Sequence, residues 1–120
     1  MEYIEFLKSK IDIAPKTGIE ISEEDVNPIL KPHQRDAVIW AVRGGRRALF
    51  ESFGLGKTVQ ALEWCNIITR KEGGQALIVL PLGVKQEFKR DAVELLGLDE
   101  PQYVRNMNEV QAATSRIVLT

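Results

Sequence analysis

The stretch Phe50-Glu51-Ser52-Phe53-Gly54-Leu55-Gly56-Lys57-Thr58 decides the fold. In front of it stands Arg47-Ala48-Leu49-Phe50, short and apolar enough for a buried strand. Behind it, residues 58–68 carry apolar side chains at helical spacing. Strand, glycine-rich turn and helix, in that order, is the setting in which a Gly-Lys-Thr ending forms a phosphate-binding loop.

The chemistry follows from charge. A polyphosphate needs several donors converging on it. Backbone N–H groups of a tight turn supply them, and the start of the next helix adds partial positive charge. Gly54 and Gly56 let the backbone come close to the phosphates. Lys57 would reach the β- and γ-phosphates, and the Thr58 hydroxyl would hold a Mg²⁺ that bridges them. The usual pattern has glycine, four residues, then Gly-Lys-Ser/Thr. Here Glu51 stands at the first glycine position, and a carboxylate there repels phosphate unless it points away.

Working towards the N-terminus, Pro32 suits the first turn of a helix running to about Arg43, with Ala37, Val38, Trp40 and Ala41 as its apolar stripe. Gly44-Gly45 ends it, among Arg43, Arg46 and Arg47. Residues 1–28 read as an accessory segment. Tyr3, Ile4, Leu7 and Ile11 share one face of a short helix, 12–18 form a loop, and Ser22 reads as the N-cap of a helix, with Glu23, Glu24 and Asp25 in its first turn, that Asn27-Pro28 soon stops.

Towards the C-terminus, the helix after the loop runs to about Lys71 and Gly73-Gly74 closes it. Ala76-Leu77-Ile78-Val79-Leu80 is a continuous apolar run, the pattern of a strand covered on both faces. Residues 83–96 form an amphipathic helix with Val84, Phe88, Val93, Leu95 and Leu96 towards the core, and Gly97 caps it. Gln102-Tyr103-Val104 is a short strand, a polar helix or turn follows to Ala113, and 116–120 is another buried strand. Alternating strands and helices imply an α/β domain with a parallel sheet flanked by helices.

The chain has 120 residues and a net charge of −1, enough for one domain with a core and no electrostatic footprint for nucleic acid. The single cysteine, Cys65, excludes an internal disulfide, reads as a small core residue and fits a reducing cytoplasm. No run approaches a membrane span, and the acidic start Met1-Glu2-Tyr3-Ile4-Glu5 is unlike a signal peptide.

Between Leu30 and Phe88 the chain resembles the first half of the nucleotide-binding lobe of a superfamily 2 helicase, most of all the Swi/Snf-type translocases and their relatives in phages and prophages. Three blocks carry the resemblance. His33-Gln34, within Leu30-Lys31-Pro32-His33-Gln34-Arg35, resembles the Q motif, whose glutamine reads adenine. Gly54-Leu55-Gly56-Lys57-Thr58-Val59-Gln60 resembles motif I as that group writes it, where an acid often replaces the first glycine. Residues 76–82 with Phe88 resemble the strand and turn of motif Ia, which in the family touches a nucleic-acid strand. Glu51-Ser52 departs from the Asp-Glu or Ala-Asp pair commoner just before the Gly-Leu-Gly.

The resemblance implies a partial RecA-like P-loop NTPase fold over residues 29–120, with 1–28 as the accessory segment. It implies ATP and Mg²⁺ as cofactors. Gln34, Phe53, Gly54, Leu55, Gly56, Lys57, Thr58 and Val59 would hold the nucleotide. Lys57 and Thr58 would be the catalytic pair, and Thr58 the Mg²⁺ ligand. Pro81 and Lys85 would touch nucleic acid. The Swi/Snf-like form of motif I favours DNA over RNA. A glutamine amide suits adenine because it offers a donor and an acceptor together. In the family the acids that hold Mg²⁺ lie on a later strand, and the arginine fingers on a second lobe. Leu95-Leu96-Gly97-Leu98-Asp99-Glu100 mimics the acid pair but reads as a helix end and its turn. The expectation is therefore the front part of a DNA helicase or translocase, cut before motif II, that binds ATP and does not turn it over alone. A rival reading is a binding module, which holds nucleotide or associates with itself through the edge of an incomplete sheet. A third is another P-loop enzyme such as a small kinase.

Overall fold

The computed structural model describes residues 2–5, 16–47 and 57–120. The predicted strand at 47–50 and the loop at 51–56 therefore lie, but for Arg47, outside the described residues, as does most of the predicted N-terminal helix. Residues 3–5 are helical. Tyr3 and Ile4, expected on a packed face, are 74% and 64% exposed.

Among the described residues, three helices and three strands alternate from residue 57 onwards, and a further helix precedes them. Helix α1 spans Pro32–Gly44 and α2 Lys57–Glu72. Strand β1 spans Ala76–Ile78, α3 Lys85–Glu94, β2 Gln102–Tyr103, α4 Met107–Ala112 and β3 Ile117–Leu119. The strands form one parallel sheet in the order β1-β3-β2. Ala76 pairs with Ile117, Leu77 with Val118 and Ile78 with Leu119. On the other edge Gln102 pairs with Val118 and Tyr103 with Leu119. The parallel α/β class expected from alternation is thus present, with α3 connecting β1 to β2 and α4 connecting β2 to β3.

Position in the sheet explains burial. β3 lies between the other two strands and all three of its residues are buried. Among the described residues β1 is an outer strand, and here the expectation of a strand covered on both faces fails. Leu77 is 54% and Val79 79% exposed, while Ile78 and Leu80 on the alternate face pack against the core. The regular strand also stops at Ile78, although the Leu80 N–H still donates to the Thr120 carbonyl at 3.0 Å.

The core joins Val38, Ile39 and Val42 of α1, Leu62 and Ile67 of α2, Ala92 of α3, Leu96, and Ile117 and Leu119 of β3. Two predicted stripes shift. In α1, Ile39 and Val42 take the place expected for Trp40, which is 51% exposed. At about 100° per residue, Trp40 points to the opposite side from Val38. In α3, Ala92 and Asp91 are buried while Val93 and Leu95 are exposed, because the helix presents its 84, 88 and 92 line. Leu96 is buried as expected. Gly97 takes φ +66°, and the Leu98 N–H reaches back to the Ala92 carbonyl at 2.8 Å. Asp99 and Glu100 therefore follow a helix end, as the sequence reading holds.

Residues 17–30 are built into this body. The N–H groups of Thr17, Gly18 and Ile19 donate to the carbonyls of Gly44, Arg43 and Val42. These are last-turn carbonyls with no partner inside α1. Ile21, Val26 and Leu30 enter the core, and a 3₁₀ turn at Glu23–Asp25 follows Ser22.

Candidate phosphate site at the start of the second helix

Lys57 and Thr58 are the first two residues of α2. Lys57 is exposed and Thr58 half-buried. Among the described residues α2 opens at Lys57, and a helix start gathers N–H donors and partial positive charge, here with a cation beside them. Val59 packs against the core and fixes the rotation of this first turn. Phe53, Gly54, Leu55 and Gly56, expected to form the cradle, lie outside the described residues.

The turn Leu82–Val84 and the start of α3 come to the same end of the molecule. The Thr58 hydroxyl donates to Oε1 of Glu87 at 3.4 Å. A hydroxyl and a carboxylate are hard oxygen donors of the kind Mg²⁺ takes, and Mg²⁺ usually needs only one or two protein oxygens beside substrate phosphates. Among the described residues no group of three or more His, Cys, Asp or Glu side chains is placed to hold a metal without such help. Thr58 and Glu87 bring hard oxygen donors of this kind together at the start of α2. Glu87 was not singled out from sequence. Its place on the exposed face of an amphipathic helix is also that of an ordinary solvated acid.

The structure places Gln34 in the first turn of α1, where it is buried. Its Oε1 accepts the Lys31 N–H at 2.9 Å and so closes the start of the helix. Pro81 is exposed, just ahead of the turn that leads into α3. Lys85 is half-buried, with Nζ 4.5 Å from the centre of the Tyr103 ring. A cation over a ring is held by the negative face of its π-system.

A second polar cluster, also missed in the sequence, lies between α2 and the segment before α1. A cleft of about 400 Å³ is lined in part by Asn27, Glu63, Asn66, Arg70 and Arg116. Glu63 is fully buried and every one of its described partners is a donor. Within a helical repeat Glu63 looks like one more polar position, since nothing local marks the Asn27 backbone as its partner.

Among the described residues no helix is long and apolar enough to cross a membrane. No protein-family model matches the chain, and no curated protein matches it either.

Proposed function

We propose that this chain is the ATP-binding part of a P-loop NTPase of the superfamily 2 helicase and translocase kind, with a partial RecA-like fold. One observation carries the reading. The Gly-Leu-Gly-Lys-Thr ending runs directly into a 16-residue helix, so Lys57 and Thr58 stand at its positive end in an α/β body with a parallel sheet. In this reading Phe53 to Gly56 wrap the phosphates, Lys57 neutralises them, Thr58 holds Mg²⁺ and Val59 anchors the turn. In this reading Gln34 meets adenine through its amide while Oε1, which has two lone pairs, already accepts the Lys31 N–H. DNA contact belongs to Pro81 and Lys85 in this reading, with Lys85 held over the Tyr103 ring.

Binding and turnover are separate in this proposal. Hydrolysis needs an acid that holds the metal and a group that places water. Asp99 and Glu100 follow the end of α3 and precede β2, so they are not an acid pair at the end of a strand. In this proposal the chain binds nucleotide, and no acid pair for turnover is assigned among the described residues.

The test is titration of a fluorescent ATP analogue with Mg²⁺ into the wild type and Lys57→Ala. Saturable binding that the variant loses supports the reading. A folded wild type that binds nothing refutes it.

Exposed Leu77 and Val79 favour a second reading, in which this face of the sheet joins a second copy of the chain. Sedimentation of the wild type and of a Leu77→Ser, Val79→Ser variant decides it. A monomer at every concentration removes that reading.

A further inference from the structure

Thr58 and Glu87 stand 29 positions apart, on α2 and α3, and meet at the point where α2 begins. A hydroxyl that ligates a cation must turn its lone pairs to the metal and its O–H away from it. An acceptor on the far side of the oxygen fixes that rotation, as outer partners of metal ligands generally do. We propose that Glu87 is a positioning residue for the nucleotide site: its carboxylate accepts the Thr58 hydroxyl hydrogen bond and presents the oxygen lone pairs to Mg²⁺. The proposal rests on the nucleotide reading above.

The geometry suits the role. The Val84 N–H donates to the Pro81 carbonyl at 3.1 Å and shapes the turn from which α3 starts. Glu87 is the third residue of α3, and α2 packs directly against α3. Phe88, the next residue, packs on the core and anchors this turn of the helix. The 3.4 Å separation is long for an O–H···O bond. Contacts of this kind draw in when the ligand arrives. Glu87 also lies in the same first turn of α3 as Lys85, whose cation sits over the Tyr103 ring.

The experiment titrates MgCl₂ into the full chain at a fixed concentration of fluorescent ATP analogue. Wild type, Glu87→Ala, Glu87→Gln, Thr58→Val and the Thr58→Val, Glu87→Ala double variant are compared. Glu87 is exposed, so its truncation leaves the fold intact, which circular dichroism checks. The expected result is a half-saturating Mg²⁺ concentration raised about tenfold or more in Glu87→Ala. Analogue binding in EDTA stays unchanged. Glu87→Gln keeps an acceptor oxygen and stays within about threefold of wild type, by the same physical argument. In the Thr58→Val background the Glu87→Ala change adds nothing, because the two act through one bond. An unchanged Mg²⁺ requirement in Glu87→Ala overturns the proposal, as do an equal loss in the Gln variant and additive effects in the double variant. Wild type that binds no analogue at any Mg²⁺ concentration is a different failure. It removes the nucleotide reading itself, and this proposal with it.

Discussion

The backbone N–H of Asn27 donates to Oε2 of Glu63 at 3.0 Å, across 36 positions of the chain. The other carboxylate oxygen accepts Nδ2 of Asn66 at 2.8 Å, and Asn66 Oδ1 accepts Nη2 of Arg116 at 3.0 Å. One fully buried carboxylate thus joins the segment before α1, the middle of α2 and the start of β3. A buried charge is tolerated only when hydrogen bonds replace its water. Here two donors meet it and an arginine addresses it through an amide. Glu63→Ala leaves the Asn27 N–H and the Asn66 amide unmatched and should cost about 3 kcal/mol. Glu63→Gln keeps one acceptor and should cost less. Urea unfolding reads both, as a lowered midpoint at constant slope. An alanine variant as stable as wild type would mean that water satisfies these donors equally well.

A neighbouring pair gives the fold a pH dependence. Lys71 Nζ lies 2.8 Å from Asp25 Oδ1, and the Ser22 N–H donates to Oδ2 at 3.0 Å. The Lys71 bond first, then the Ser22 N–H, holds the Asp25 carboxyl below its ordinary 3.8. A lowered native value means that folding favours the ionised form. The contribution is complete above 3.8 and is lost as the pH falls through the lower native value. Asp25→Asn should therefore melt below wild type near neutral pH, and the two should converge as the pH falls through the lowered native value. A constant gap between the melting curves across that range would show that Asp25 acts through shape rather than charge.

Local rules made most of the body legible. Pro32 and Gly45 bracket α1, and the apolar run at 117–119 is the buried central strand. Gly97 separated a helix end from a strand that the Leu95-Leu96 run imitates. Periodicity did not say which apolar residues lie outside. Trp40 and Val93 sit one step off their stripes, and Leu77 is exposed on β1, which among the described residues is an outer strand. The site divides in the same way. Lys57 and Thr58 are legible because a contiguous motif names them. Glu87, Asn27 and Arg116 are not, because each is brought to its partner by packing between distant elements.

Gly18 is a position where only hydrogen fits. A Cβ there would collide with the Val42 carbonyl oxygen, and would lie 2.7 Å from the Gly45 nitrogen and 2.8 Å from the Arg43 oxygen. All three are backbone atoms, so no rotamer relieves the contact. Relief means pulling residues 17–19 off the end of α1 and breaking the bonds from Thr17, Gly18 and Ile19. Gly18→Ala should cost about 2 to 3 kcal/mol. For a chain of this size that lowers the melting temperature by about 10 °C. Gly83→Ala is the control, since its Cβ would meet nothing within 4 Å. Equal melting temperatures for the two variants would show that residues 17–19 detach at little cost.

Cys65 lies on α2, half-buried and packed against the core. Burial pushes its thiol from 9.0 up to about 11. The thiolate is the nucleophile, so at any pH below both values the native protein carries about a hundredfold less of it than the unfolded chain. Iodoacetamide at about pH 8 should therefore label native Cys65 at least about a hundredfold more slowly than the same chain in urea. Adding the ATP analogue should leave the slow rate unchanged, because Cys65 stands two turns along α2 from Thr58. Native labelling as fast as in urea would place the thiol in water, and would require α2 to open at this turn in the folded protein.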